Sequence, residues 1–341
     1  MRLSGPKDIE WIAAELHCHT VHSDGRFTVE SLLECAKRYD LSLIALTDHN
    51  TAAGVTELSP ALESKYVPVI RGIEWTAYYG HMLVLDADRF VDWRDVTKDG
   101  MDEKIREVKE NGGLVGIAHP FSVGSPICTG CCWEYTVSRW DLVDYIEVWS
   151  VGFPSIHRGR NQRAVDMWQS LLDEGYHIAA SYGKDWHFEV DEKEPWGCTY
   201  IAVNGSDSDL PHKVKDAIRM GRTMVSMGPR PVVVAHAEGM EILPGDTVRE
   251  GSDVSLSVMI DGDYRSEQWS KYGFVPESAK VIGRFGAVIA KIDLDGFNPA
   301  EIVFKAKKGH FRVVFSGYVM DKDCEIAFTS PYYVNSSEEK Q

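Results

Sequence analysis

The strongest constraint in this chain is the rhythm of its apolar residues. Through residues 1–229, short aliphatic and β-branched runs alternate with amphipathic stretches, the pattern of a largely parallel sheet covered by helices. The runs at 42–47, 67–73, 114–118, 145–149, 177–181 and 199–203 are mostly bounded by Gly, Pro or Asp, as strands buried on both faces are. Between them, Val29, Leu32, Leu33, Ala36 and Tyr39 recur at helical spacing behind Thr28, which predicts a helix over 28–39 with a threonine N-cap. Helices predicted over 101–111, 161–174 and 210–220 each run into a glycine (Gly112, Gly175, Gly221), which enters the left-handed region without a Cβ clash.

After Gly228-Pro229-Arg230-Pro231 the period changes. Val254, Leu256, Val258 and Ile260 alternate with Ser255, Ser257 and Met259, and apolar runs at 303–304, 311–315 and 326–328 follow with turn residues between them. No helical period interrupts them. The expectation is an α/β domain over residues 1–229 followed by a small all-β sandwich over 230–341.

Charge and cysteine content narrow the function. The 341 residues carry 36 Lys and Arg against 52 Asp and Glu, a net charge of −16, so a general basic surface for coating nucleic acid is excluded. A local cationic or metal-lined pocket is compatible with that charge, because a pocket sets its own field. No run approaches the roughly 20 apolar residues of a membrane helix. Residues 1–8 lack the apolar segment of a secretory leader. The 7 cysteines (18, 35, 128, 131, 132, 198 and 324) are odd in number and irregular in spacing, which suits free thiols in a reducing compartment. These features lead us to expect a cytoplasmic protein with a small-molecule substrate and no membrane association; they select no oligomeric state.

Chemistry-bearing residues gather at strand ends. Glu15-Leu16-His17-Cys18-His19 reads as a strand, in which residues two apart share a face, so His17 and His19 can converge on one ion. Asp24 follows in a Ser23-Asp24-Gly25 turn that can return a carboxylate over the strand end. Thr47-Asp48-His49 and Gly72-Ile73-Glu74 end two buried runs, and His81 opens the run 82–85. Ala118-His119-Pro120 closes another, and Asp185-Trp186-His187 follows the run that ends near Ser181. Residues at the C-terminal ends of parallel strands share one mouth, and imidazole with carboxylate but no thiolate suits zinc, manganese or iron. One strand-end histidine alone is more often a loop or core residue. Repetition across several strands is what carries the expectation of a polynuclear metal site.

His17-Cys18-His19-Thr20-Val21-His22-Ser23-Asp24-Gly25 resembles the opening HxHTxxSDG motif of the polymerase-and-histidinol-phosphatase (PHP) family. Thr47-Asp48-His49, the Glu74 segment, Ala118-His119-Pro120 and Asp185-x-His187 resemble its later motifs in the same order. The resemblance implies a distorted (βα)7 PHP-type barrel with two or three divalent transition metal ions (Zn, Mn or Fe) and usually phosphoester hydrolysis. Carried over by position, it implies His17, His19, Glu74 and Asp185 as ligands of a first metal. Glu74 would bridge to a second metal held by His81 and His119, and Asp24, His49 and His187 would form a third set. The Glu74-to-His81 spacing, the Gly221-Arg222 and Gly228-Pro229 segments and the all-β tail look like the CehA/McbA branch, named for carbamate-ester hydrolysis. Gly183-Lys184-Asp185 departs from the family's frequent Gly-Ser-Asp by placing a lysine beside a ligand.

A divalent pair lowers the pKa of bound water towards neutrality, which yields a metal-bound hydroxide able to attack phosphorus or a carbonyl carbon. Glu74, Asp24 and His187 are the catalytic candidates, the last two for proton transfer to a leaving group. Arg158, Arg160 and Lys184 are the candidate substrate-binding cations, since guanidinium forks and an ammonium suit phosphate oxygens. Asp48 and Glu147 are expected to orient imidazoles, and Trp75, Trp149 and Trp186 to form either an aromatic wall or core. Cys128-Thr129-Gly130-Cys131-Cys132 lacks the second pair that a structural zinc needs. The leading expectation is a metal-dependent phosphoesterase for a small phosphomonoester or phosphodiester. Against it stand a carbamate, amide or carboxylic ester metallohydrolase of the same fold, and a non-catalytic metal-binding interaction module.

Overall fold

The computed structural model describes residues 9–124, 130–153, 155, 159–189, 193–205 and 209–336. Strands β1 (Ile9–Cys18), β2 (Leu43–Leu46), β3 (Val69–Ala77), β4 (Gly80–Leu85), β5 (Leu114–Ile117), β6 (Tyr145–Ser150) and β7 (Ala179–Gly183) lie side by side in chain order. Helices α1 (Val29–Arg38), α2 (Pro60–Lys65), α3 (Met101–Glu110) and α4 (Gly159–Glu174) punctuate them. β1, β2 and β3 pair in parallel, as do β5, β6 and β7. β3 and β4 instead form a hairpin, and β4 runs antiparallel to both neighbours. The regular strand–helix alternation therefore breaks where Tyr78-Tyr79 turns the chain directly back.

The path from β1 to β7 returns on itself. Trp186, just past β7, donates its N–H to the His17 carbonyl at 2.9 Å and accepts from the His19 N–H at 2.9 Å. β1 is also paired antiparallel on its other side with β8 (Cys198–Asn204), which leads through α5 (Leu210–Arg219) to β9 (Thr223–Ser226). The predicted helices form, and α3, α4 and α5 stop at the predicted glycines, although α4 begins two residues before the expected Asn161. Thr28 Oγ1 accepts the Ser31 N–H at 3.1 Å, and Gly112, Gly175 and Gly221 all have positive φ. α2 had no apolar period to reveal it; Ser59 caps it, and Pro60 stands where a missing N–H has no cost.

The C-terminal region is sheet-rich, as its period-two pattern predicts. Its strands are β10 (Arg230–Ala237), β11 (Met240–Ile242), β12 (Thr247–Arg249), β13 (Asp253–Asp261), β14 (Val275–Gly283), β15 (Val288–Asp293), β16 (Ala300–Lys305), β17 (Gly309–Val319), β18 (Lys322–Thr329) and β19 (Tyr332–Asn335). One helical turn, α6 (Ser266–Trp269), interrupts them and is too short to show a period. β11, β10, β13 and β16 form a separate antiparallel sheet, whereas β18 pairs with β9 and so extends the sheet that contains β1. The mixed α/β fold thus continues into the tail through backbone hydrogen bonds. No helix among the described residues is long and apolar enough to cross a membrane.

Phe328 of β18 seals this junction: its ring lies 4.9 Å from that of Trp149 on β6 and 5.8 Å from that of Trp168 on α4. Phe328→Ala should therefore cost about 3–5 kcal/mol, read as a lowered urea midpoint with the slope of the transition unchanged.

Candidate metal centre

β1 supplies the first ligand candidates on the face that also carries Glu15, because residues two apart along an extended chain point the same way and bring His17 and His19 together. His17 and His19 are fully buried. The Nε2 atoms of both approach Glu74 Oε2 at 3.1 and 3.3 Å and Asp185 Oδ1 at 3.3 and 3.1 Å, respectively. None of these four atoms makes a hydrogen bond, although all are buried. Buried polar atoms left in that state are costly. Ligand bonds of about 2.0–2.2 Å around one ion place neighbouring donors about 3.0–3.5 Å apart. The spacing and the missing hydrogen bonds both fit a divalent cation at the centre of this set.

Two further groups share its members. His49 Nδ1 lies 2.8 Å from Glu74 Oε2, and His81 Nδ1 lies 2.8 Å from Glu74 Oε1, so His49, Glu74 and His81 form a second group. His119 Nε2 reaches the same Glu74 oxygen at 3.3 Å. The carried-over second set lacked His49, which here turns one ring nitrogen to Glu74 and the other to Asp24 Oδ1 at 3.5 Å. The third group gathers His19, Asp24, His49 and His187, with His187 Nε2 3.0 Å from Asp24 Oδ1. Asp24 is 60% exposed and Glu74 is not exposed at all, so the mouth opens on the side of the third group.

Local chemistry fixes these positions. Glu147 Oε2 holds His17 Nδ1 at 2.9 Å, which leaves Nε2 turned towards Glu74 and Asp185. Glu147 fits because residue 183 is glycine: a Cβ there would sit 2.2 Å from Oε2. Gly25 is required for a like reason, since a Cβ would fall 2.5 Å from the His19 carbonyl oxygen. Asp48 does not orient an imidazole. It accepts from Thr20 N, Thr20 Oγ1 and Ser23 Oγ at 2.7, 2.7 and 2.8 Å, which ties down the turn that presents Asp24. His119 and Asp185 hold positive φ values of 26° and 54°, unusual for residues with side chains and frequent at functional positions.

Glu15 was not singled out from the sequence. Its Oε1 accepts from His17 N at 2.9 Å and Lys184 N at 3.0 Å, joining the segments that carry His17 and Asp185 from behind. The signal was present: Glu15 shares the alternation of His17 and His19. Burial pushes its carboxyl up to about 8. Burial also opposes charge on His17, but Glu74, Asp185 and Glu147 outweigh it and raise that imidazole well above its usual value. In turn, burial would raise Glu74, and the imidazoles, His17 first, hold it well below the carboxylate range.

The substrate-binding candidates fare differently. Lys184 Nζ lies over the Trp196 ring at 4.9 Å, and Arg160 sits partly buried in the first turn of α4. Arg158 lies outside the described residues, as does Cys128. Trp75, Trp149 and Trp186 are core, at most 3% exposed, and line no open wall. No metal-capable group among the described residues includes a cysteine.

Comparison with known proteins agrees with this architecture. The PHP domain signature matches residues 15–104. An uncharacterised protein of Methanocaldococcus jannaschii is 33% identical over 127 residues, 34% of this chain and 70% of that protein. A phosphoribosyl 1,2-cyclic phosphate 1,2-diphosphodiesterase of Eggerthella lenta is 41% identical over 64 residues, 19% of this chain and only 24% of that enzyme. A crystal structure from Bacteroides vulgatus, of a two-domain protein described as containing a predicted PHP-like metal-dependent phosphoesterase, superposes with a TM-score of 0.54. It shares 15% identity and covers 97% of both chains, a likeness of fold alone. The chain belongs to the PHP-domain family.

Two outcomes are expected from metal titrations of chelator-stripped protein. Metal must displace the proton that Glu74 and Asp185 stabilise on His17, so affinity should rise with pH and fall on acidification. Glu147→Gln should weaken affinity by about 10–100-fold, read by calorimetry with manganese or zinc.

Proposed function

We propose that this protein is a metal-dependent phosphoesterase that acts on a small phosphomonoester or phosphodiester. The observation behind this reading is the set of four buried donor atoms of His17, His19, Glu74 and Asp185, spaced at 3.1–3.3 Å without hydrogen bonds, in a PHP-domain chain. Two or three divalent transition metals (zinc, manganese or iron) would be held by His17, His19, Asp24, His49, Glu74, His81, His119, Asp185 and His187. Such ions, when bound, supply Lewis acidity and a nucleophile at neutral pH.

The chain's own groups would do the rest. Glu74 touches all three imidazole neighbourhoods and keeps them in register. Glu147 holds His17 in the tautomer whose Nε2 faces inward. Asp24 and His187, 3.0 Å apart at the open side, are placed to hold a proton near a departing oxygen. Lys184 precedes the ligand Asp185, and its ammonium, with Arg160 and Arg158, would draw phosphate oxygens towards a site in a chain of net charge −16. A neutral carbamate gains little from such a field. The similar E. lenta protein is a phosphodiesterase by name, which favours phosphorus over carbon as the centre attacked.

Finer readings belong to the same proposal. The curled sheet of β1–β7, with its hairpin break, would be the distorted (βα)7 barrel, residues 1–229 and 230–341 two domains, and the branch CehA/McbA-like.

The test is kcat/KM for p-nitrophenyl phosphate and bis-p-nitrophenyl phosphate against p-nitrophenyl acetate and an aryl carbamate, with metal-loaded protein. Phosphorus substrates should win, and Lys184→Ala should lose about 1–3 kcal/mol of transition-state binding with metal content unchanged. Carboxyl substrates ahead by orders of magnitude would overturn the assignment.

A further inference from the structure

The loop after β13 leaves the C-terminal strands and reaches back to the first helix of the α/β region. Arg265, on this loop, is 9% exposed and adopts a positive φ of 53°. Its Nη2 donates to the Tyr39 carbonyl at 2.8 Å. Nη1 lies 3.1 Å from Cys198 Sγ and 3.5 Å from the Tyr200 hydroxyl, both on β8. Three residues on, Gln268 Nε2 donates to the Arg38 carbonyl at 3.2 Å. Among the described residues no carboxylate forms an ion pair with Arg265. A buried cation without a counter-ion is costly, and a strained backbone adds to that cost.

The contacts show what this arrangement holds. Arg38 and Tyr39 close α1, where helix carbonyls lack partners and a cation is favoured by the helix dipole. Tyr39 is also where α1 meets the metal centre. Its ring packs edge-on to Trp186 at 5.5 Å and lies 5.0 Å from Trp196, while Phe27 packs on Trp186 at 5.3 Å. Trp186 stands between Asp185 and His187, and its backbone bonds to His17 and His19 at 2.9 Å each. The backbone of this one residue therefore adjoins four of the nine proposed ligands, His17, His19, Asp185 and His187. On its other side the guanidinium touches β8, which pairs with β1 just before His17 (Ala13 opposite Tyr200, Ala14 opposite Thr199).

We propose that Arg265 is a positioning residue for the metal centre. It fixes the end of α1 against β8, the Tyr39 ring then confines Trp186, and Trp186 holds Asp185 and His187 against His17 and His19. This gives the C-terminal region a role in metal binding without a ligand of its own. The proposal rests on the reading of these side chains as metal ligands.

The experiment uses the full chain, stripped with chelator and titrated with cobalt(II), whose visible absorption reports ligand geometry. In Arg265→Gln, affinity for at least one cobalt equivalent should drop about tenfold or more, in the range of lost outer-shell support, and the visible band should change shape. Arg265→Lys, which keeps a donor for the Tyr39 carbonyl, should restore part of both. Tyr39→Leu leaves the carbonyl grip and removes the ring; it should reproduce the cobalt defect, and it carries the test if Arg265→Gln does not fold. Phe328→Ala should lower the melting temperature and leave the cobalt spectrum as in wild type, which separates positioning from general stability. Wild-type affinity and spectrum in folded Arg265→Gln, or in Tyr39→Leu, would overturn the proposal while the ligand assignment stands. A wild-type protein that binds no cobalt would overturn both.

Discussion

A carboxylate with no solvent contact must be compensated by its neighbours, and Glu74 is compensated by imidazoles on every side. His17, His19, His49, His81 and His119 all come within 3.3 Å of its two oxygens. These histidines come from β1, the end of β2, β4 and the end of β5, so one buried charge draws most of the sheet's strand ends to a single point. The cost of isolating that charge is what makes the arrangement specific: displacing any one partner leaves either an anion or an imidazole without compensation.

The hairpin between β3 and β4 serves the same end. A crossover helix would have carried the chain away from Glu74; the two-residue turn sets His81 opposite Thr76, two positions along β3 from Glu74. Antiparallel pairing then lets one strand pair present the Glu74 carboxylate and the His81 imidazole to the same space. The irregular step in the sheet thus coincides with the residues that most need short-range placement.

Much of this was legible because the signals are local. Alternation in Glu15-Leu16-His17-Cys18-His19 and histidines or acids beside Gly and Pro at strand ends identify the cluster members, and the helix caps read directly from Thr28, Gly112, Gly175 and Gly221. Assignments that depend on which way a side chain turns were not legible. Asp48 sits beside His49 in sequence yet faces the Thr20–Ser23 turn, and His49 reaches two groups because both its nitrogens are used. The continuity of the tail with the α/β sheet was hidden for a different reason. Pairing of β18 with β9 is a contact between distant segments, and the period of either strand is the same whether its neighbour is near or far in the chain.

That pairing has a consequence for how the molecule assembles. β9 ends at Ser226 and its partner β18 begins at Lys322, so the sheet that carries the histidine cluster keeps an open edge until a segment about a hundred residues downstream arrives. During synthesis on the ribosome, that edge is a bare row of N–H and C=O groups beside apolar side chains, the arrangement most prone to pair with a neighbouring nascent chain. Slower closure lengthens that exposure, so the yield of soluble protein should depend more on chaperone supply and expression temperature than on the stability of the finished fold.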